Sequence, residues 1–202
     1  MDQFRRSLLL APLALAAVGA PAFAAPISLN EISRYLNSLT TVEAPFTQTN
    51  SDGSRVSGRV IIHRPNRMRF EYAPPNEALV LASAGKVAIF DAKSNQAPEE
   101  YPLRRTPLNL ILAQNINLNR ARMVVGHHDL GNGITAVIAQ DPDHPEYGTL
   151  QMDFAASPMT LKGWIVTDEN GNRTTVRMGQ LKVGESYPPS YFSITSERQR
   201  RN

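Results

Sequence analysis

The side chains able to do chemistry are few in this sequence, and they are scattered. Its four histidines are His63, His127, His128 and His144. His127 and His128 are adjacent in a strand-like stretch, so their rings point to opposite faces and do not converge on one metal ion. His63 closes another such stretch. All three read as ordinary surface histidines. His144 lies in Asp141-Pro142-Asp143-His144-Pro145, a loop rich in oxygen donors but without the ligand spacing of a calcium loop. Glu99 and Glu100 are neighbours that would point apart on a strand, so they do not form a paired-carboxylate site. No serine sits in a Gly-x-Ser-x-Gly elbow, and no glycine-rich loop leads from a strand into a helix. The sequence has no cysteine. That removes thiol nucleophiles, thiolate metal sites and disulfides, as well as lipid attachment through a cysteine behind a cleaved signal. The reading is a protein that is not an enzyme and uses no cofactor and no metal. A hydrolase whose carboxylates meet from distant strands stays open as an alternative.

The N-terminus assigns a compartment. Arg5 and Arg6 precede an apolar run from Ser7 to Val18, and Ala22-Phe23-Ala24 follows with small residues at both ends. This is the layout of a secretory signal, cleaved after Ala24. The run is about twelve residues, short of the roughly twenty that a helix needs to cross a bilayer. Residues 25–202 are then expected as one exported domain that is stabilised by its core. The formal charge of +3 is small and its one dense basic cluster is Arg198, Arg200 and Arg201. Nucleic acid binding normally needs a concentrated basic stripe, so a monomer without a nucleic acid partner is expected.

The elements that would carry a site are mostly strands. Ser28 and Glu31 fit a capping box. Leu29, Ile32, Leu36 and Leu39 follow at helical spacing, which predicts a short amphipathic helix over 28–38. From residue 44 the period falls to two. Met68, Phe70 and Tyr72 alternate with Arg67, Arg69 and Glu71, the pattern of a strand with one apolar and one wet face. Further strands are predicted around 46–49, 56–63, 78–82, 86–90, 99–103, 122–129, 134–140, 149–155, 161–167 and 173–181, with polar turns between them, one of them over 91–96. Thr106-Pro107 reads as the start of a second helix through Ala113, and a third short helix could occupy 116–120. The polar tail from Ser196 is expected to fray. Strands joined by tight turns pair antiparallel. The expected fold is therefore mainly β with short helices (α+β): one curved antiparallel sheet of about ten or eleven strands, with the helices on its apolar face. Alternation alone does not distinguish a filled core from a ligand cavity.

In order and spacing the chain resembles the periplasmic outer-membrane lipoprotein carrier family (LolA). The residues that carry the resemblance are Phe46-x-Gln48, Asp52-Gly53-Ser54, Gly58-Arg59-Val60, Arg64-Pro65-Asn66 and Arg67 to Tyr72, with Pro75 after them. Leu79-Val80-Leu81, Gly85-Lys86, Ile89-Phe90-Asp91, Gln96, Thr106-Pro107-Leu108 and Leu110-Ile111-Leu112 follow in register, and Gly163-Trp164 and Phe192-Ser193-Ile194 match more loosely. Phe70 stands where the family usually has tryptophan, and the segment after Ile194 is shorter than usual. The resemblance implies an unclosed β-barrel under a helical lid, with a hydrophobic cavity for lipoprotein acyl chains. It implies as partners an inner-membrane ABC transporter that supplies the cargo and an outer-membrane lipoprotein receptor that takes it. A lipid- or lipoprotein-sensing module of the same fold is the second reading. The resemblance gives Arg64 the part of a latch that holds lid carbonyls in the empty state, with partners expected in the Leu110 to Ala113 region. The cavity is expected to be lined by Phe46, Val60, Ile62, Met68, Phe70, Leu79, Leu81, Ile89, Met123 and Trp164 from the sheet. Leu36, Leu110, Ile111 and Leu112 would line it from the lid.

Overall fold

The structure is a computed structural model and describes residues 25–91 and 96–201. The predicted signal over residues 1–24, and most of the turn predicted over 91–96, lie outside the described residues.

The chain starts with helix α1, Leu29–Ser38. Ser28 and Glu31 form the capping box that their spacing suggested, and Ile32 and Leu36 turn inward. Strands β1 Thr41–Thr49, β2 Arg55–His63, β3 Arg67–Tyr72, β4 Leu79–Ser83, β5 Lys86–Phe90 and β6 Glu99–Pro102 follow. A 3-10 turn at Leu103–Arg105 leads to helix α2, Asn109–Leu112. Strands then resume as β7 Val124–Gly131, β8 Ile134–Gln140, β9 Thr149–Ala156, β10 Met159–Thr167, β11 Arg173–Met178 and the two-residue β12 Lys182–Val183. The chain closes with helix α3, Ile194–Arg201.

Among the described residues, twelve strands join one sheet, in the order β6-β5-β4-β3-β2-β1-β11-β10-β9-β8-β7, with β12 paired to β1. Each pairing is antiparallel. Strands β6 and β7 form the two ends, so the barrel stays open between them. The N-terminal and C-terminal strands join in the middle of the sheet through β1 and β11, where Phe46 faces Met178 and Gln48 faces Val176.

Two expectations change. No helix forms at 116–120; Ile116 and Leu118 are buried from a turn instead. The tail does not fray. Phe192 is fully buried, and Ile194 packs on Leu79, Leu81, Ala88 and Phe90 on the outer face of the sheet. The reason is charge. Arg69, on that same face, pairs with Glu197 at 3.0 Å and with Glu71 at 2.5 Å, and both partners of the Arg69–Glu197 pair are about 5% exposed. Arg69 also lies 4.5 Å from the centre of the Tyr191 ring. The polar residues of the tail therefore answer polar residues of the sheet, a match that hydropathy does not register.

Candidate functional site

The inner face of the sheet is a trough filled by side chains. Register sets which residues reach it. Val60 faces Phe70, Phe70 faces Val80, and Met68 faces both Ile62 and Ala82, so these side chains share one face. Phe46 and Phe70 stack with ring centres 3.9 Å apart, Tyr72 meets both edge-on, and Trp164 lies 5.8 Å from Phe70. Gly58 makes this stack possible. A Cβ there would stand 2.0 Å from the carbonyl oxygen of Glu71 and 2.6 Å from the Phe46 ring. The Tyr72 hydroxyl donates to Gln48 Oε1 at 2.7 Å, and burial pushes its pKa up to about 12. It is therefore a neutral hydrogen bonder at one end of the trough.

The predicted lining residues divide by register. Phe46, Val60, Ile62, Met68, Phe70 and Trp164 from the sheet, with Leu36, Leu110, Ile111 and Leu112 from the helices, form one buried cluster, and Met123 packs on its edge. Leu79 and Leu81 do not join them. They face Glu71 and Arg69 and belong to the separate cluster beneath α3. The two-residue period of a strand explains this: Val80 and Ala82 point into the trough, so 79 and 81 point away. Ile89 pairs with Val80 but sits near the open edge, 38% exposed. The sequence reading missed Leu161, Met152, Phe154 and Val137, which the cluster includes. Their alternation along β8–β10 was visible, but nothing in it said which alternate residues face inward.

Helices α1 and α2 lie over the trough and are tied into one lid. The Asn37 side chain donates to the Ile116 carbonyl at 2.8 Å and accepts from the Ile116 amide at 3.0 Å. The Leu118 amide donates to Ser33 Oγ at 3.0 Å, and the Leu161 amide donates to the Tyr35 hydroxyl at 3.1 Å. Arg64, at the trough's rim, clamps the end of both helices. Its Nη2 donates to the carbonyl of Ala113 at 2.7 Å, to that of Gln114 at 3.1 Å and to Asn37 Oδ1 at 3.0 Å. Its Nη1 donates to the carbonyls of Leu36 and Leu39. Every one of these acceptors is uncharged. Burial pulls the guanidinium pKa down, though arginine stays protonated. The amide of Asn66 adds a bond to the Leu112 carbonyl at 2.8 Å. The acceptors expected near Leu110 to Ala113 thus begin at Ala113, and those on α1 come in addition. The sequence held one hint of the latter: α1 has no basic residue in its last turn to cover its carbonyls.

Between lid and sheet, the space bordered by Leu36, Leu39, Val42, Ile62, Ile111 and Met178 measures about 20 Å³. That admits about one water molecule. Two larger recesses, of about 590 and 670 Å³, open on the outside beside charged side chains, Arg59, Arg69 and Glu71 at one and Lys86 and Glu100 at the other. They are wet and ion-paired. The groups that might do chemistry stay apart: Glu100 pairs with Lys86 and Arg198, and His127 meets the Ile27 carbonyl at 2.8 Å. Among the described residues, no group of three His, Asp or Glu side chains could hold a metal ion.

A family model described as outer membrane lipoprotein carrier protein LolA matches residues 37–195. The chain belongs to the LolA family. It is 25% identical to an outer-membrane lipoprotein carrier protein of Pseudomonas aeruginosa, over 94% of this chain and 93% of that one. It is 29% identical to a protein of the same description from Coxiella burnetii, over 83% of this chain and 82% of that one. Among solved structures, a Vibrio parahaemolyticus domain provisionally assigned to outer membrane lipoprotein sorting aligns with a TM-score of 0.51 at 7% identity, covering 84% of this chain and 97% of that one. This last likeness is one of fold: an open antiparallel sheet with short helices, as the LolA resemblance implied.

Proposed function

We propose that residues 25–202 form a periplasmic carrier domain that shields the acyl chains of lipoproteins, following export directed by a signal over residues 1–24. Cargo would come from an inner-membrane ABC transporter and pass to an outer-membrane receptor, without bond chemistry and without a cofactor. One observation carries the reading: the lid fills the trough with its own apolar side chains, yet Arg64 fastens it only through uncharged acceptors. Burying acyl chains gains about 0.8 kcal/mol per methylene, so a chain of about sixteen carbons gains around 10 kcal/mol when sealed completely. Such a carrier must hold that surface and also release it. A lid that competes for the same surface lowers net affinity, as any ligand pays when its competent state is sparsely populated.

Arg64 is the latch in this reading. It stabilises the closed, empty state and lets go when cargo displaces Leu110, Ile111 and Leu112. The test uses the mature protein, membranes that display a lipoprotein and a working transporter. A soluble complex that is lost when the cargo's acyl chains are removed is the expected result. Lipid turnover without a complex would refute the reading. Arg64→Leu should still take up lipoprotein but fail to pass it on, since the clamp that favours the closed lid is gone; normal delivery by this variant would sink the latch.

A further inference from the structure

The space between lid and sheet beside Leu36, Ile62 and Ile111 has room for about one water molecule and cannot receive an acyl chain while the lid is shut. The chain must first settle somewhere else, and the structure contains one apolar groove placed for that. It lies between the start of α2 and the ends of β9 and β10, and measures about 250 Å³. Pro107 and Leu108 form one wall. Leu150 and Trp164 form its floor, and Val166 and Tyr147 its outer wall. Val166 and Tyr147 are 41% and 60% exposed, so the groove is open to an incoming chain.

We propose that this groove is an outer acyl-binding subsite, where the first part of one cargo chain lands before the lid opens. The inference rests on the carrier reading above and adds the route to it. Three observations argue for an acyl chain as occupant. The exposed surface of the groove is mainly apolar, with Arg105, Asp141, Thr149 and Thr167 completing its border. The volume falls short of the roughly 300 Å³ at which pockets for drug-sized ligands begin, so it suits part of one chain. The floor is continuous with the trough, because Leu150 and Trp164 belong to the same buried cluster as Phe46, Phe70 and Ile62.

Position on the lid completes the argument. Arg64 and Asn66 hold α2 at its far end, through Leu112, Ala113 and Gln114. At its near end α2 has no side-chain cap, and the bonds there are local ones such as the Asn109 amide to the Thr106 carbonyl. A chain wedged beneath Leu108 therefore meets α2 at its unfastened end. It can lift this single helical turn from that end toward the Arg64 latch, exchanging lid contacts for chain contacts.

Trp164 is the only tryptophan, so its fluorescence reports on this place. The probe is a monoacylglycerol with a brominated chain, which is uncharged and quenches indole on contact. Stopped-flow mixing with the mature protein yields association and dissociation rates. Val166→Glu should slow association at least about tenfold, the factor that about 1.4 kcal/mol of lost landing affinity produces, and slow dissociation by a similar factor, because the chain leaves by the same route and the final bound state keeps its contacts. Tyr147→Glu, at a more exposed position, should act in the same direction and guards against a folding defect in the first variant. Wild-type association rates in both variants would overturn the subsite while leaving the carrier reading intact. Absence of quenching in the wild type, together with absence of a soluble lipoprotein complex, would instead remove the carrier reading, and the subsite with it.

Discussion

Arg64 shows how much one side chain contributes through geometry. A guanidinium carries five donors in a rigid fork, and here the fork spans two helix ends that are distant in sequence, at Leu36 to Leu39 and at Ala113 to Gln114. A lysine has a single ammonium and cannot cover both sets of carbonyls. Arg64→Lys is therefore expected to keep the charge but lose much of the clamp. Amide exchange at Leu112 to Gln114 should speed up in this variant nearly as much as in Arg64→Leu, and exchange as slow as in the wild type would show that charge alone closes the lid. The family resemblance pointed to the arginine and to one of its two targets. It did not mark α1, because which helix end comes to rest beside residue 64 depends on how the lid lies across the sheet.

At the scale of elements, α2 and α3 divide the work between the two faces of the sheet. Helix α2 is four residues long and lacks a side-chain cap, so its position comes from burial of Leu110, Ile111 and Leu112 and not from helix propensity. Leu112→Ala removes a fully buried side chain and should cost the closed state about 2–4 kcal/mol. If lid and cargo compete for the trough, the variant should melt earlier when empty yet capture lipoprotein more tightly, and parallel losses of stability and affinity would contradict the competition. Helix α3 is polar along most of its length, and its hold depends on the buried Arg69–Glu197 pair. Glu197→Gln leaves Arg69 with Glu71 alone, and about 3 kcal/mol of stability should be lost, the low end for a broken buried pair. A urea titration measures it. Composition misled here: a string of charges reads as a solvated tail unless the opposing charges of β3 are known to lie beneath it.

For the molecule as a whole, the same ion network sets the response to acid. In Glu71 and Glu197 burial alone would raise the carboxyl pKa. Hydrogen bonds from Arg59 and Arg69 to Glu71, and from Arg201 and Arg69 to Glu197, outweigh it and hold both below their ordinary value of 4.5. A pKa lower in the folded than in the unfolded chain adds stability that is complete above the ordinary glutamate range and is lost as pH falls through the depressed value. The urea midpoint should therefore stay level from neutrality to about pH 5 and fall below it, with a smaller fall in Glu197→Gln; a flat profile through pH 3 in the wild type would rule the network out as the cause.

Much of this architecture was legible in the residues. Local rules suffice for the Ser28–Glu31 cap, for turns such as Asp168 to Asn172 and for the alternation along β3, because each depends on neighbours in sequence. They delivered the antiparallel, short-helix fold and the lack of thiol chemistry. Three things had to wait for the tertiary structure: the face to which Leu79 and Leu81 turn, the anchoring of the C-terminal segment, and the near-complete filling of the trough by its lid. A strand pattern is indifferent to a shift of one residue, a buried ion pair joins positions more than a hundred residues apart, and an apolar face looks the same in sequence whether it meets a helix or an acyl chain. Those choices are made by packing, and packing is decided only when the whole chain is in place.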